Sequence, residues 1–398
     1  LDDRKKSLAS TSIMHFVNDG INGVIPLMYP VYNALYGISL QTVSVFTALQ
    51  NVISIVVSPY VGNKADSSGN FAWLMTLGVL LLTFGTAGYA VSVLFLGGSS
   101  LVIVLILFSV VIGVGSSFYH PIGASALGQK LDSSDLSKAM GVNGSIGSVG
   151  RLVLPFLATL MITYTTLPSL GILALAAALG GMGGFAILNG VTFEKASTTR
   201  IPKGSVWKSV LPEWRLARPL LPLTLVSFSR GLCTGVLPLI PFYLVKVDHF
   251  GGLETGFIYA LSLGAGTGSQ ILFGLIQDRA GHRFALGFSN LGAVVFLLAF
   301  VLSPNAIFTE ISVILFGLFT YSAFPLLLGM VHKKAHLYPG DVTSANSLVW
   351  GIGTSGGGAA APLLIAALAL PSAFGSLTPG FIGAAAVGVV SVVLVPFT

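Results

Sequence analysis

Residues 99–127 read SSLVIVLILFSVVIGVGSSFYHPIGASAL, a run with no Asp, Glu, Lys or Arg in it. A helix rises 1.5 Å per residue, so about 20 apolar residues cross the ~30 Å of hydrocarbon in a bilayer. This stretch exceeds that length. Its apolar residues are continuous rather than alternating, which excludes the strands of a lipid-facing barrel. Working outward, similar runs fall near residues 10–36, 40–62, 71–94, 138–165, 168–190, 217–246, 253–276, 284–303, 306–331, 342–369 and 376–396. With the first run they predict an all-α membrane protein of twelve transmembrane helices.

Composition agrees. Of 398 residues 54% are hydrophobic and 8% charged, with a mean hydropathy of +0.90, whereas a soluble domain is about 25% charged. The 49 glycines suit helices packed backbone to backbone in lipid. Cys233, the single cysteine, permits no disulfide framework or Cys-ligated metal site within one chain. The first run follows Arg4, Lys5 and Lys6, lacks a small-residue cleavage site and exceeds a signal-peptide core, so it reads as a retained helix. The net charge of +6 follows topology. With the N-terminus inside, 16 of the 19 Lys and Arg lie on the cytoplasmic side, which removes nucleic acid as a partner and places both termini in the cytoplasm of a cell with its chain in the plasma (inner) membrane. The longest polar stretch, 191–216, divides an N-terminal bundle (1–190) from a C-terminal one (217–398).

The halves read as diverged copies. Asp19 precedes Pro30 by the same interval as Arg230 precedes Pro241, and Pro121 with Asn143 is matched by Pro325 with Asn346. Two parallel six-helix repeats place a binding site near the midplane, with access alternating as one half rocks on the other.

Residues 274–283, GLIQDRAGHR, resemble the loop signature of the major facilitator superfamily, and residues 62–69, GNKADSSG, are a degenerate first copy that keeps Gly62, Asp66 and Gly69. The resemblance implies a conformational latch at Asp66, Asp278, Arg279 and Arg283, whose carboxylates would hold a neighbouring helix N-terminus. Residues 15–19, HFVND, with Tyr29 and Pro30, and residues 115–121, GSSFYHP, are similar to the fosmidomycin-resistance branch of that superfamily. Enterobacterial members of the branch have an acidic residue after the His-Pro pair, where this chain has Ile122.

Ionisable groups at a helix centre cost about 2.5–3.5 kcal/mol on insertion scales, so those retained point to a pathway or a partner. His15, Asn18, Asp19 and Asn22 lie three or four apart and form one stripe. Asp19 is expected to carry a proton, with His15 beside it and His120 as relay, since an imidazole titrates near neutral pH. A structural hydrogen-bond cluster would use the same residues. Arg230 and Arg151 sit in mid-helix, and their planar forks suit a carboxylate or phosphonate. With Asn18, Asn22 and Tyr119 they make the expected substrate contacts, the alternative being an internal ion pair such as Arg230 with Asp19. Gly141, Gly144, Gly147 and Gly150, and the run Gly351 to Gly358, read as packing faces.

No metal-ligand spacing, nucleophile-base pair or phosphate loop occurs, so the reading is not an enzyme and implies no cofactor. It is a secondary transporter, a proton-coupled exporter working by antiport on a small anionic or amphipathic compound, as a monomer in the bilayer. The alternatives are a proton-coupled importer and a non-transporting receptor or scaffold.

Overall fold

A computed structural model of the chain describes residues 2–195, 214–322, 326–327, 330–331, 345 and 347–398. Residues 196–213 of the expected linker, and Pro325 and Asn346 of the second repeat match, lie outside the described residues. Among the described residues there are helices and no strand. In chain order they are α1 (Asp3–Tyr36), α2 (Leu40–Ser68), α3 (Phe71–Ser92), α4 (Gly98–Lys130), α5 (Ser133–Tyr164), α6 (Leu170–Leu188), α7 (Trp214–Thr234), α8 (Ile240–Lys246), α9 (Gly252–Gly264), α10 (Gly266–Ala280), α11 (His282–Val301), α12 (Ala306–Tyr321), a π-helical segment (Ser347–Ser355), α13 (Gly356–Leu368) and α14 (Thr378–Leu394).

Ten stretches among the described residues are long and apolar enough to cross a membrane. Two more complete the expected positions: α1, 34 residues long but carrying the polar stripe, and α12, an apolar helix of shorter described length. The spans are apolar all round, as a solvent of lipid requires. On α6, for example, Leu175, Leu179 and Met182 are exposed while Leu173, Ala177 and Gly181 are buried.

Several boundaries differ from the sequence expectation, each for a local reason. α1 begins at Asp3 because the Asp2 side chain caps it, accepting from the Lys5 amide at 2.8 Å. It ends at Gly37, whose φ of 65° an L side chain resists. Residues 62–68, expected as a loop, are the last turns of α2, and only Gly69, with φ 72°, leaves the helix. Residues 274–280 likewise end α10, before Gly281 at φ 86°. The seventh segment is broken between Thr234 and Ile240 by a short 3-10 turn containing Pro238.

The chain packs as two compact units, Leu1–Ile38 with Val56–Gly204 and Ser39–Ile55 with Ser205–Thr398. α2 therefore contributes to both. In the first unit α1 packs on α3, α4, α5 and α6. Its crossing with α5 is a backbone contact: a Cβ on Gly150 would meet the Phe16 carbonyl, and one on Gly20 would lie 2.6 Å from Leu154. In the second unit α7 crosses the π-helical segment and α13 the same way, with Gly231 against the Thr354 carbonyl and Gly357 against that of Phe228. Gly20 follows Asp19 and Gly231 follows Arg230, so the two crossings occupy equivalent places in the repeat. Not every glycine of the α5 face is needed, since Gly141 has open space where a Cβ would stand.

Two substitutions separate these roles. Gly141→Ala should be neutral or stabilising, because Ala is favoured over Gly in a helix by about 0.5–1 kcal/mol. Gly150→Ala should lower the thermal unfolding midpoint in detergent, because the added methyl forces α1 and α5 apart at a cost of about 1–3 kcal/mol. Equal midpoints for the two variants would remove the close crossing as a requirement.

Candidate functional site

The polar cluster of the first unit is built on a four-residue register between α1 and α5, which run parallel here. Thr11 meets Asn143, His15 lies over Gly147, and Asp19 meets Arg151. Four residues are a little more than one helical turn, so each rung stacks on the last. Gly147 is what admits the imidazole, because a Cβ there would be 2.5 Å from the His15 ring. α4 closes the cluster with Tyr119 and His120.

Asp19 is the hub. Its Oδ2 accepts from Arg151 Nε at 2.9 Å, takes a closer contact from Arg151 Nη2, and lies 3.0 Å from His15 Nε2. Its Oδ1 accepts from Asn18 Nδ2 at 3.0 Å and lies 3.4 Å from His120 Nε2. The Asp19 side chain is 4% exposed and that of Arg151 14%, whereas that of His120 is 53% exposed. One buried carboxylate thus faces three basic groups, of which only His120 is open. A buried charge needs this degree of pairing, since an isolated one is far too costly in a low-dielectric interior.

A second layer orients the first. Asn143 Nδ2 donates to Thr11 Oγ1 at 3.2 Å, and Thr11 Oγ1 itself donates to the Ser7 carbonyl at 2.7 Å. Asn143 Oδ1 then faces His15 Nδ1 at 2.8 Å and the Tyr119 hydroxyl at 3.0 Å. The Tyr119 hydroxyl also reaches the Thr11 carbonyl at 2.9 Å, and its ring stacks on His15 with centroids 4.6 Å apart. Asn22 donates to the Asn18 carbonyl at 2.8 Å.

His15, Asp19 and His120 present donor atoms within 4.8 Å of one another, the residue types of a small metal site. The guanidinium of Arg151 already holds the Asp19 carboxylate, and its fixed positive charge opposes a cation bound beside it. The arrangement suits protons better than metal ions.

The structure therefore brings together His15, Asn18, Asp19, Tyr119, His120 and Arg151. It does not give Asp19 the partner considered from sequence: that partner is Arg151, not Arg230. Arg230 is 1% exposed inside the second unit, where it donates to Asn290 Oδ1 at 2.5 Å and to the carbonyls of Phe319 and Thr320 at 2.6 and 3.1 Å. It caps the carbonyl end of α12 and, through Asn290, whose Nδ2 donates to the Ser391 carbonyl, ties α7, α11, α12 and α14. Of the expected latch residues, Asp66 accepts from Ser125 Oγ on α4 at 2.5 Å. Arg283 donates to the Thr398 carbonyl, and Asp278 and Arg279 are exposed at the end of α10. Ile122 is fully buried. Sequence reasoning missed Thr11 and Ser125, and used Asn143 only as a repeat marker; the 132-residue spacing shared by Thr11 with Asn143 and Asp19 with Arg151 is the signal that could have found the rungs. Outside the spans, burial pushes the Asp248 carboxyl up to about 6, against the opposing pull of His249.

A family model of the Major Facilitator Superfamily matches residues 11–358. The Fosmidomycin resistance protein of Escherichia coli (strain K12) is 23% identical over 368 residues, which is 90% of this chain and 85% of that protein. Among solved structures, a D-xylose-proton symporter superposes with a TM-score of 0.74 at 11% identity, covering 100% of this chain and 97% of its own. A nucleoside transporter does so at 0.73 and 11%, covering 98% and 99%. A bacterial homologue of the human lysosomal transporter Spinster, inward-facing and unoccupied, does so at 0.67 and 14%, covering 100% and 95%. At these identities the structural likeness is one of fold.

The Asp19–Arg151 pair can be weighed by a double-mutant cycle. Asp19→Asn or Arg151→Gln alone leaves a buried charge without its partner and should destabilise the protein by about 3–5 kcal/mol, while the double variant should recover much of that loss. Unfolding midpoints that simply add would show that the two side chains are not coupled.

Proposed function

Because the chain belongs to the Major Facilitator Superfamily and is a transporter rather than an enzyme, we propose that it is a proton-coupled secondary transporter that exports a small organic compound in exchange for protons. The observation that carries this reading is the buried carboxylate of Asp19 shared among Arg151, His15 and His120. A carboxylate in that setting has two stable conditions, ionised against the guanidinium or protonated and released from it, and a proton carrier must alternate between two such conditions. The half-exposed His120 is the relay by which a proton reaches the pair, and His15 is the inner relay. The similarity to a resistance protein supports export, and the distribution of Lys and Arg supports cytoplasmic termini.

The compound is anionic or amphipathic, since the cluster around Asp19 offers three basic side chains against one carboxylate. Coupling follows from which partner the substrate replaces. A substrate group that donates hydrogen bonds to Asp19 competes with the proton for the same oxygens, which gives exchange. An anion that takes Arg151 away leaves Asp19 without its cation; Asp19 then binds a proton, so anion and proton load together. The engagement of Arg151 with Asp19 is the observation that favours this second, importing mode. Asn18 and Asn22 lie on the stripe of Asp19, Tyr119 stacks on His15 from α4, and these three would orient the ligand. Arg230, held by Asn290 and the α12 carbonyls, serves the second unit's packing in this reading.

In proteoliposomes, fosmidomycin serves as the probe. Acid-loaded vesicles should accumulate it while their interior becomes more alkaline, and Asp19→Asn should abolish that accumulation yet retain exchange at equilibrium. The neutral phosphonate diester of the probe should bind more weakly than the acid. Protons entering together with the probe would replace exchange by import, and undiminished gradient-driven uptake by Asp19→Asn would leave the residue a purely structural role.

The loop signatures act as a latch on conformational populations, with Asp66 bonded to Ser125 in the first copy and Asp278, Arg279 and Arg283 forming the second. Asp66→Asn and Asp278→Asn should redistribute spin-label distances across the two mouths without altering the order of preference among probes. Superimposable distance distributions in parent and variants would count against the latch.

A further inference from the structure

We infer that residues 191–195, the stretch that follows α6, form a strap that docks on the first loop signature and keeps Asp66 bonded to Ser125, so that release of the strap frees the latch of the first unit. Val191 is buried and its amide donates to the Leu188 carbonyl at 2.9 Å, which turns the chain back at the end of α6. Phe193 then lies on Phe71, the buried first residue of α3, with ring centroids 4.5 Å apart and planes 29° from parallel. The ammonium of Lys130, the last residue of α4, stands 5.2 Å from the centroid of the Phe193 ring. Glu194 N–H donates to Gln129 Oε1 at 3.1 Å. Gly69 completes the seat: it turns at φ 72°, and a Cβ there would come within 3.3 Å of the Phe193 carbonyl and 3.4 Å of Lys195 Cγ. One aromatic side chain thus joins the turn between α2 and α3 to the end of α4.

Asp66 and Ser125 belong to the same two helix ends. A Cβ on Gly62 of α2 would lie 3.1 Å from Pro121 of α4, and one turn further along both helices Asp66 accepts from Ser125 at 2.5 Å. At the next turn α2 has ended, and the strap's contacts with Gly69, Phe71, Gln129 and Lys130 stand in for a third rung. The second unit follows the same plan with different chemistry. Counted from Gly62 and Gly274, Phe71 and Arg283 hold the same position in the two signatures. Arg283 donates to the carbonyl of Thr398, just past α14, as Phe71 stacks on Phe193, just past α6. In each unit the residue at this position binds the segment that follows the last helix, so the first signature has an aromatic seat where the second has a basic one. An aromatic stack and a cation over a ring are contacts of moderate strength, which lets the strap open and reclose. Control of the latch rests on the reading of Asp66 as a latch residue; the docking of the strap does not.

The test is electron spin resonance on the full chain in lipid with a nitroxide at Glu194→Cys, an exposed position whose docking contact is made by its amide; the native Cys233 is buried. The label should be immobilised in the parent. Phe193→Ala should raise the ratio of mobile to immobile label about tenfold, and Phe193→Tyr should leave it unchanged. Lys130→Gln, which removes the cation without opening a packed ring contact, should raise it about threefold and keeps the test in hand if the alanine variant folds poorly. In the same variants the spin-label distances across the two mouths should redistribute in the direction that Asp66→Asn produces, and Phe193→Ala should add nothing once Asp66→Asn is present. A label equally mobile in the parent, Phe193→Ala and Lys130→Gln overturns the docking. A label released by Phe193→Ala while the mouth distances stay put, in a protein where Asp66→Asn does move them, overturns control of the latch. If Asp66→Asn moves nothing either, it is the latch reading that fails, and a released label upholds the docking alone.

Discussion

In a medium without water, a charge can be kept only where the protein supplies every partner that water would have supplied. Asp19 states this constraint most sharply, with Arg151 and His15 on one oxygen and Asn18 and His120 on the other. Those partners come from three helices, so satisfying one carboxylate fixes the mutual register of α1, α4 and α5. The four-residue rungs of Thr11 with Asn143, His15 over Gly147 and Asp19 with Arg151 are the form that this takes. If α5 slid by one residue on α1, the imidazole would lose its gap and the guanidinium its carboxylate together.

Close approach of backbones is the other condition. Side chains of ordinary size would hold α1 and α5 too far apart for an Asp and an Arg to meet through the short reach of the Asp side chain. Gly20 and Gly150 remove that spacing in the first unit, and Gly231 with Gly357 do so in the second. The repeat is thus preserved as a mode of packing, while its chemistry has diverged. At the place of Asp19 the second unit has Arg230, whose donors are directed to Asn290 and to the carbonyl end of α12. One unit uses the position to hold a proton-accepting group near an open histidine; the other uses it to end a helix. An arginine there needs no counter-charge, because the unsatisfied carbonyls of a helix terminus already offer partial negative charge.

The same contrast separates the two arginines that look alike in the sequence. Arg151 and Arg230 both lie mid-span and both are largely buried, yet only Arg151 shares its partner with groups able to take up a proton. An arginine bound to an amide oxygen and backbone carbonyls has partners that do not titrate, whereas one bound to a carboxylate can be released by a single protonation. This difference in the partner, rather than in the arginine, gives the first unit its functional reading.

Much was legible in the linear sequence. Continuous apolar runs longer than a bilayer is thick determined helices in lipid, the interval from Asp19 to Pro30 and from Arg230 to Pro241 determined the repeat, and the signature at residues 274–283 pointed to the family. The stripe of His15, Asn18, Asp19 and Asn22 was visible because residues on one helical face recur at a fixed period. Partner choice was not visible. Asp19 has two arginines at comparable depth, and which of them it meets depends on how helices cross, a property of glycine contacts 130 or so residues apart that no local period records. The roles of Thr11, Asn143 and Ser125 were likewise decided only by tertiary structure, because a neutral hydroxyl or amide costs little to place in many positions and becomes specific only when the group facing it is known.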